Sequence, residues 1–199
     1  MTTYAFPNIK PSVSTWGIIT NTKSFSSPLT GSTQTAVRKG TRWKCSFRFD
    51  NLIQSDSAIM QAFLAKLNGQ EHRFTIKDDS YVMGGSGGGT PLVNGANQSG
   101  TSLVTDGWPN NITGVLKAGD RIEVGGELKM VTADVNSGAT TGPATIPIIP
   151  EIHTSPANND PITTIDPLVK LMLVQDSIEW TNNVHGYVTY QFSAIEDIL

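Results

Sequence analysis

Hydrophobic residues along this chain recur mostly with a period of two. Trp43, Cys45, Phe47 and Phe49 alternate with Lys44, Ser46, Arg48 and Asp50. Successive side chains of a strand point to opposite faces, so this segment predicts a half-buried antiparallel strand. Residues 34–37 are its expected hairpin partner, with a turn near Lys39-Gly40. Phe74 and Ile76, alternating with Arg73, Thr75 and Lys77, predict another strand, and residues 169–174 a nearly continuous apolar one. Residues 176–180 and 187–194 close the chain, with Val188, Tyr190, Phe192 and Ala194 on one face. Ahead of these, residues 1–33 are rich in Pro, Ser and Thr with scattered aromatics (Phe6, Trp16, Phe25). They predict extended arms and short strands, with a turn at Ser27-Pro28 and Thr30-Gly31.

One segment departs from the two-residue period. Ile59, Met60, Phe63, Leu64 and Leu67 form a stripe at helical spacing, predicting a helix over about residues 56–67. Ser55 or Asp56 can cap its start and Gly69 can close it. The stripe is expected to pack on a sheet.

The middle of the chain changes in style. Gly84-Gly85-Ser86-Gly87-Gly88-Gly89 has almost no side chains and is expected to act as a flexible linker. Beyond it, Leu103-Val104 predicts a short strand. Arg121-Ile122-Glu123-Val124 and Glu127-Leu128-Lys129-Met130-Val131, joined by Gly125-Gly126, predict a hairpin. Ile122, Val124, Leu128 and Met130 are expected on its buried side, with Arg121, Glu123, Glu127 and Lys129 in water, pairing across strands. Residues 144–149, interrupted by Pro147 and followed by Pro150, predict an edge strand, because proline cannot donate to a ladder. Residues 154–167, with Ser155-Pro156, Asp160-Pro161 and Asp166-Pro167, predict a loop.

A terminal strand pattern as strong as that of residues 187–194 needs a sheet to join. The fold expected is therefore mainly β with two domains. Residues 1–80 and 168–199 form a β-sandwich-like domain with one α-helix; residues 81–167 form an inserted small OB-type β-barrel. At 199 residues the chain can bury a core without disulfides.

Composition narrows the function classes. Charged residues make up 16% of the chain, against roughly 25% in typical globular proteins. Such a surface suits a protein in contact with other subunits. The net charge is −3, and the densest basic stretch (Arg38, Lys39, Arg42, Lys44, Arg48) reads as a solvated or interface face rather than a nucleic-acid footprint. The single cysteine, Cys45, excludes an internal disulfide and reads as a small buried hydrophobe. No apolar run is long enough for a membrane helix, and no signal peptide is visible at residues 1–10.

The search for chemistry yields no catalytic constellation. His72, His153 and His185 lie far apart, outside any zinc spacing. The glycine stretch ends in Thr90-Pro91 rather than the Gly-Lys-Ser/Thr of a phosphate loop. Asp78-Asp79 and Asn158-Asn159-Asp160 offer clustered oxygens but no EF-hand spacing. Cofactors are expected to be none. Trp108, between Gly107 and Pro109 in an exposed-looking turn, is the candidate glycan contact, ahead of Glu179-Trp180.

Residues 16–49 resemble the start of tail proteins of long-tailed phages. The resemblance rests on Trp16, Asn21, Ser27-Pro28-Leu29-Thr30-Gly31, Gln34-Thr35 and Gly40-Thr41-Arg42-Trp43, and continues through the helix and strand that follow. Leu116-Lys117-Ala118-Gly119-Asp120 and its hairpin resemble the inserted OB-type domain of the siphophage distal tail protein family, and residues 178–192 that family's return strand. The resemblance is mainly one of architecture over nearly the whole chain. It implies a homohexameric ring at the tail tip, joining the tail tube protein to the baseplate hub protein around the DNA channel, with tail fibre or collar proteins as further partners. It implies assembly in the host cytoplasm, no specific nucleic-acid site, no membrane insertion and no catalytic residues. The alternatives are a carbohydrate-binding module, another tail tube or completion protein, and, disfavoured by the missing motifs, a hydrolase.

Overall fold

Thirteen strands and one helix form among residues 1–198, which the computed structural model describes. In chain order they are β1 (Thr3–Ala5), β2 (Val13–Ser26), β3 (Thr33–Leu52), α1 (Gln54–Leu67), β4 (Arg73–Lys77), β5 (Leu92–Val93) and β6 (Gly100–Asp106). There follow β7 (Arg121–Val124), β8 (Glu127–Val131), β9 (Ala144–Ile152), β10 (Ile162–Thr163), β11 (Leu168–Leu173), β12 (Trp180–Asn182) and β13 (Val188–Glu196). The chain is mainly β, in two sheets.

The first sheet runs β1-β4-β11-β13-β3-β2, with β12 beside β13. It joins segments from both ends of the chain: β13 pairs with β3 from Val188↔Leu52 to Ile195↔Lys44. The alternation of β3 sends Trp43, Cys45, Phe47 and Phe49 into the core, where Tyr190, Phe74 and the helix residues Met60, Phe63, Leu64 and Leu67 meet them. Phe6 lies against Phe49, Phe63, Phe74 and Phe192, with ring centroids 5.1 to 6.4 Å apart. The hydroxyls of Ser57 and Tyr190, 2.7 Å apart, tie α1 to the sheet.

Two details of α1 differ from expectation. Ile59 is 52% exposed. The stripe is drawn by Met60, Phe63, Leu64 and Leu67, and Ile59 sits about 100° around the helix from Met60. The start has Ile53 at the cap position with no side-chain cap, and Asn68, in a left-handed conformation, closes the end just before Gly69.

The second sheet runs β10-β7-β8-β9-β6-β5. Its two ends meet: Leu92 bridges Pro161, and the Val93 N–H donates to the Asp160 carbonyl at 3.0 Å. A small, nearly closed barrel results, cored by Leu103, Trp108, Leu116, Ile122, Ile146 and Ile148. Here β9 is not an edge strand. It lies between β6 and β8 in spite of Pro147 and Pro150. Pro147 has no N–H to donate, but its carbonyl accepts from the Thr132 N–H at 2.9 Å.

Residues 34–37 also belong elsewhere than expected. They continue β3, whose partner is β2, from Val13↔Arg48 to Ser26↔Thr33. The turn spans residues 27–32 and is closed by the Gly31 N–H on the Ser27 carbonyl at 2.9 Å.

Candidate assembly surface and inter-domain joint

The glycine stretch is no free linker. The buried carboxylate of Asp120 accepts from the Gly84 N–H (2.7 Å), the Gly85 N–H (2.9 Å) and the Lys117 N–H (2.7 Å). Next in the chain, the N–H groups of Ser86 and Gly87 donate to the carbonyls of Gly114 and Val115. Close approach explains the choice of glycine. A Cβ on Gly85 would stand 2.5 Å from the Val115 carbonyl oxygen and 2.7 Å from Leu116 Cα. The stretch is therefore a pinned entry into the barrel, and residues 117–120 are its lock.

Arg121 extends the lock to the first sheet. Its guanidinium donates to Asp78 at 2.7 Å and lies 5.0 to 5.2 Å from the ring centroids of Trp16, Trp43 and Tyr81. The Tyr81 hydroxyl accepts from the Arg121 backbone N–H at 2.8 Å. Burial pushes the Tyr81 phenol up from its ordinary value. Partly desolvated cation–π contacts of this kind contribute roughly 1–2 kcal/mol each.

The β7–β8 hairpin forms as expected, but its faces divide differently. Its two-residue turn pairs Val124 with Glu127 and Ile122 with Lys129. Ile122 and Val124 face the barrel core, whereas Leu128 belongs to the core of the first domain and Met130 packs against it. The hairpin is thus shared between two cores. Lys129, expected in water, is fully buried. Its ammonium reaches Glu127 at 2.6 Å and the Glu151 carbonyl at 2.8 Å. Burial pushes the Glu127 carboxyl up, but the Lys129 hydrogen bond and charge outweigh it and hold it below its ordinary value.

Glu196 completes this joint. One carboxyl oxygen accepts from the Trp43 N–H at 3.0 Å; the other is buried without a partner. Desolvation raises its pKa from 4.5 to about 7, against the pull of Lys129 and with the push of Glu127. Such an acid holds its proton more tightly folded than unfolded. Its contribution to stability is complete below about pH 4.5 and is lost as the pH rises through about 7. Thermal melting between pH 5 and 8 should show this fall, on the order of 2 kcal/mol. Glu196→Gln should flatten it, so that the wild-type and variant curves diverge with pH. Parallel curves would contradict the assignment.

The joint ends at the base of a projecting ribbon. Gly40 donates its N–H to Glu151 Oε1 at 2.8 Å, and His153 Nε2 donates to the Thr41 carbonyl at 2.8 Å. At this point the β2–β3 ladder shifts register between Ile19 and Asn21, opposite Gly40 with φ +112°. The Asn21 amide donates to the Lys39 carbonyl at 3.0 Å. Beyond it, residues 20–39 form a two-stranded ribbon in which every residue but Ser27 is exposed on both faces. The ladder from Asn21 to Ser26 alone extends roughly 20 Å. Phe25 (68% exposed), Leu29 (94%) and Val37 (80%) stand on it in solvent.

The remaining sequence candidates lie apart. Trp108 is only 3% exposed; its indole N–H donates to Thr105 Oγ1 at 2.8 Å inside the barrel core. The turn looked exposed because of its glycine and proline, yet the ring folds inward and presents no face to a glycan. Trp108→Phe should lower barrel stability by about 1–2 kcal/mol through the lost indole hydrogen bond to Thr105, whose hydroxyl keeps only its bond to the Ala144 carbonyl, and the lost volume, readable in urea unfolding. Trp180, at 45% exposure, is the more accessible tryptophan. Cys45 is fully buried, and desolvation raises its thiol well above the ordinary range. Asp78 is engaged by Arg121, and Asn158 accepts from the Gly95 N–H. His72 accepts from the Thr2 N–H, and His185 is exposed. No group of three or more metal-ligating side chains occurs among the described residues. No helix of the described residues is long and apolar enough to cross a membrane.

Sequence reasoning identified the Ala118-Gly119-Asp120 step but not its role. The ribbon escaped it, because a strand bare on both faces has no alternation to detect. A scan against protein-family models finds no match, and a search of curated proteins finds none either.

Proposed function

We propose that this chain is a structural, non-catalytic ring subunit of a phage tail tip. The ring joins the tail tube to the baseplate hub and surrounds the DNA channel. The observation that carries this reading is the bare ribbon of residues 20–39. An isolated two-stranded hairpin is marginally stable in water, and a ribbon exposing Phe25, Leu29 and Val37 is suited to being covered by a partner. A projecting element on one side of a subunit and an acceptor elsewhere make heterologous contacts, which close into a ring when the rotation allows.

The two-domain plan supports the same reading. The resemblance to the distal tail protein family rests on a sheet-and-helix domain interrupted by an OB-type barrel. Here the strands between Leu92 and Thr163 make their own barrel, while strands from both ends of the chain make the other sheet. The joint between them is packed and hydrogen-bonded, which suits a frame that transmits load. In this reading the ring counts six subunits and sits in the virion, with tail fibre or collar proteins as outer neighbours.

Immunogold labelling of intact virions tests the location. An antibody against this chain should mark the distal end of the tail tube and nothing along its length. Uniform labelling of the tube would instead support a tube subunit, and no labelling of virions would overturn the proposal.

A further inference from the structure

Charge is divided unevenly along this chain. Seven of the fourteen basic residues precede Asp50, and none of the seventeen acidic ones does. Residues 1–49 therefore carry a formal +7, and the remainder −10. The pairing of these charges is as uneven as their placement. After Asp50, Arg73, Lys77, Lys117, Arg121, Lys129 and Lys170 each have a carboxylate within 4.0 Å; Lys66 instead lies over the Tyr4 ring at 4.2 Å. Before it, only Arg48 has one, namely Asp50 at 2.8 Å. Lys23, Arg38 and Lys39 on the ribbon, and Arg42 and Lys44 at its root, have no carboxylate partner among the described residues.

We propose that the ribbon docks by charge onto the acidic body of a second copy of this chain, making subunit assembly salt-dependent. This rests on the ring reading above and adds what holds one subunit to the next. The body offers the complement: Asp176 and Glu179 are exposed, and Asp106 and Asp160 half-exposed, with no cation paired to any of them among the described residues. The ribbon of residues 20–39 carries +3 and the rest of the chain −6, so body repels body but attracts the arm, like faces are disfavoured and arm-to-body contact is selected. That directionality is what a head-to-tail ring requires. A nucleic acid would also attract the cations. Leu29 and Val37 interleaved with them favour a protein surface, because phosphates have no use for exposed aliphatic side chains.

The test is analytical sedimentation of the full chain across a salt series, with Lys23→Glu/Arg38→Glu/Lys39→Glu as the variant. Screening shortens from roughly 10 Å at 0.1 M salt to roughly 3 Å at 1 M. Wild-type self-association should weaken by at least about tenfold over that range, and the variant should associate at least about tenfold more weakly at low salt. The variant should melt at the wild-type temperature, since these side chains make no tertiary contact with the body. A wild-type oligomer indifferent to both salt and charge reversal would overturn this inference while leaving the ring intact. A wild-type chain that stays monomeric at every salt and concentration would overturn both. Salt-sensitive binding to duplex DNA that the variant loses while keeping its oligomeric state would reassign the arm to nucleic acid.

Discussion

Replacing Asp120 by alanine should cost about 2–4 kcal/mol and leave the barrel marginal. Three backbone N–H groups would lose their buried acceptor, those of Gly85 and Lys117 half-buried and that of Gly84 exposed. Each buried donor left unsatisfied costs roughly 1–3 kcal/mol. A domain of this size has only about 5–15 kcal/mol in total. Asp120→Asn should recover part of the loss, because its carbonyl can accept while its NH2 must face a donor. Gly85→Ala should be nearly as damaging, since the added carbon meets the Val115 carbonyl at 2.5 Å and backbone cannot step aside. Urea unfolding, followed by tryptophan fluorescence, measures all three. An alanine variant within about 1 kcal/mol of wild type would show that the glycine segment needs no lock.

The second large effect concerns assembly rather than folding. Excising residues 22–37 and joining Asn21 to Arg38 through an Asn-Gly turn should abolish self-association. The register pair Asn21↔Arg38 is already in ladder position, and a two-residue turn of that type suits it. The removed residues are exposed, Ser27 excepted, so the melting temperature should stay within a few degrees of wild type. Size-exclusion chromatography with light scattering separates the outcomes. A folded monomer supports the ribbon as the subunit contact. An unchanged oligomer would place that contact elsewhere.

Segments with one wet and one dry face were readable: β3 through Trp43, Cys45, Phe47 and Phe49, and β13 through Val188, Tyr190 and Ala194. The Gly125-Gly126 hairpin was readable from its turn. Its face assignment was not, because Leu128 and Lys129 are both buried, one against each neighbour. A strand wedged between two cores has no wet side, and Lys129 is tolerated there only through Glu127 and the Glu151 carbonyl. The glycine stretch misled for a related reason. Five glycines and a serine look flexible until a carboxylate 35 to 36 positions downstream is seen to pin the first two. Pro147 and Pro150 argued for an edge, yet β9 is central, paired with β6 on one side and β8 on the other. The ribbon was the least legible part, and it is the part that carries the functional reading.

Mass and shape of the purified wild-type chain, by light scattering and negative-stain electron microscopy at low salt, address that reading most directly. The account predicts a sixfold ring with an open centre. A compact monomer at every concentration would contradict it.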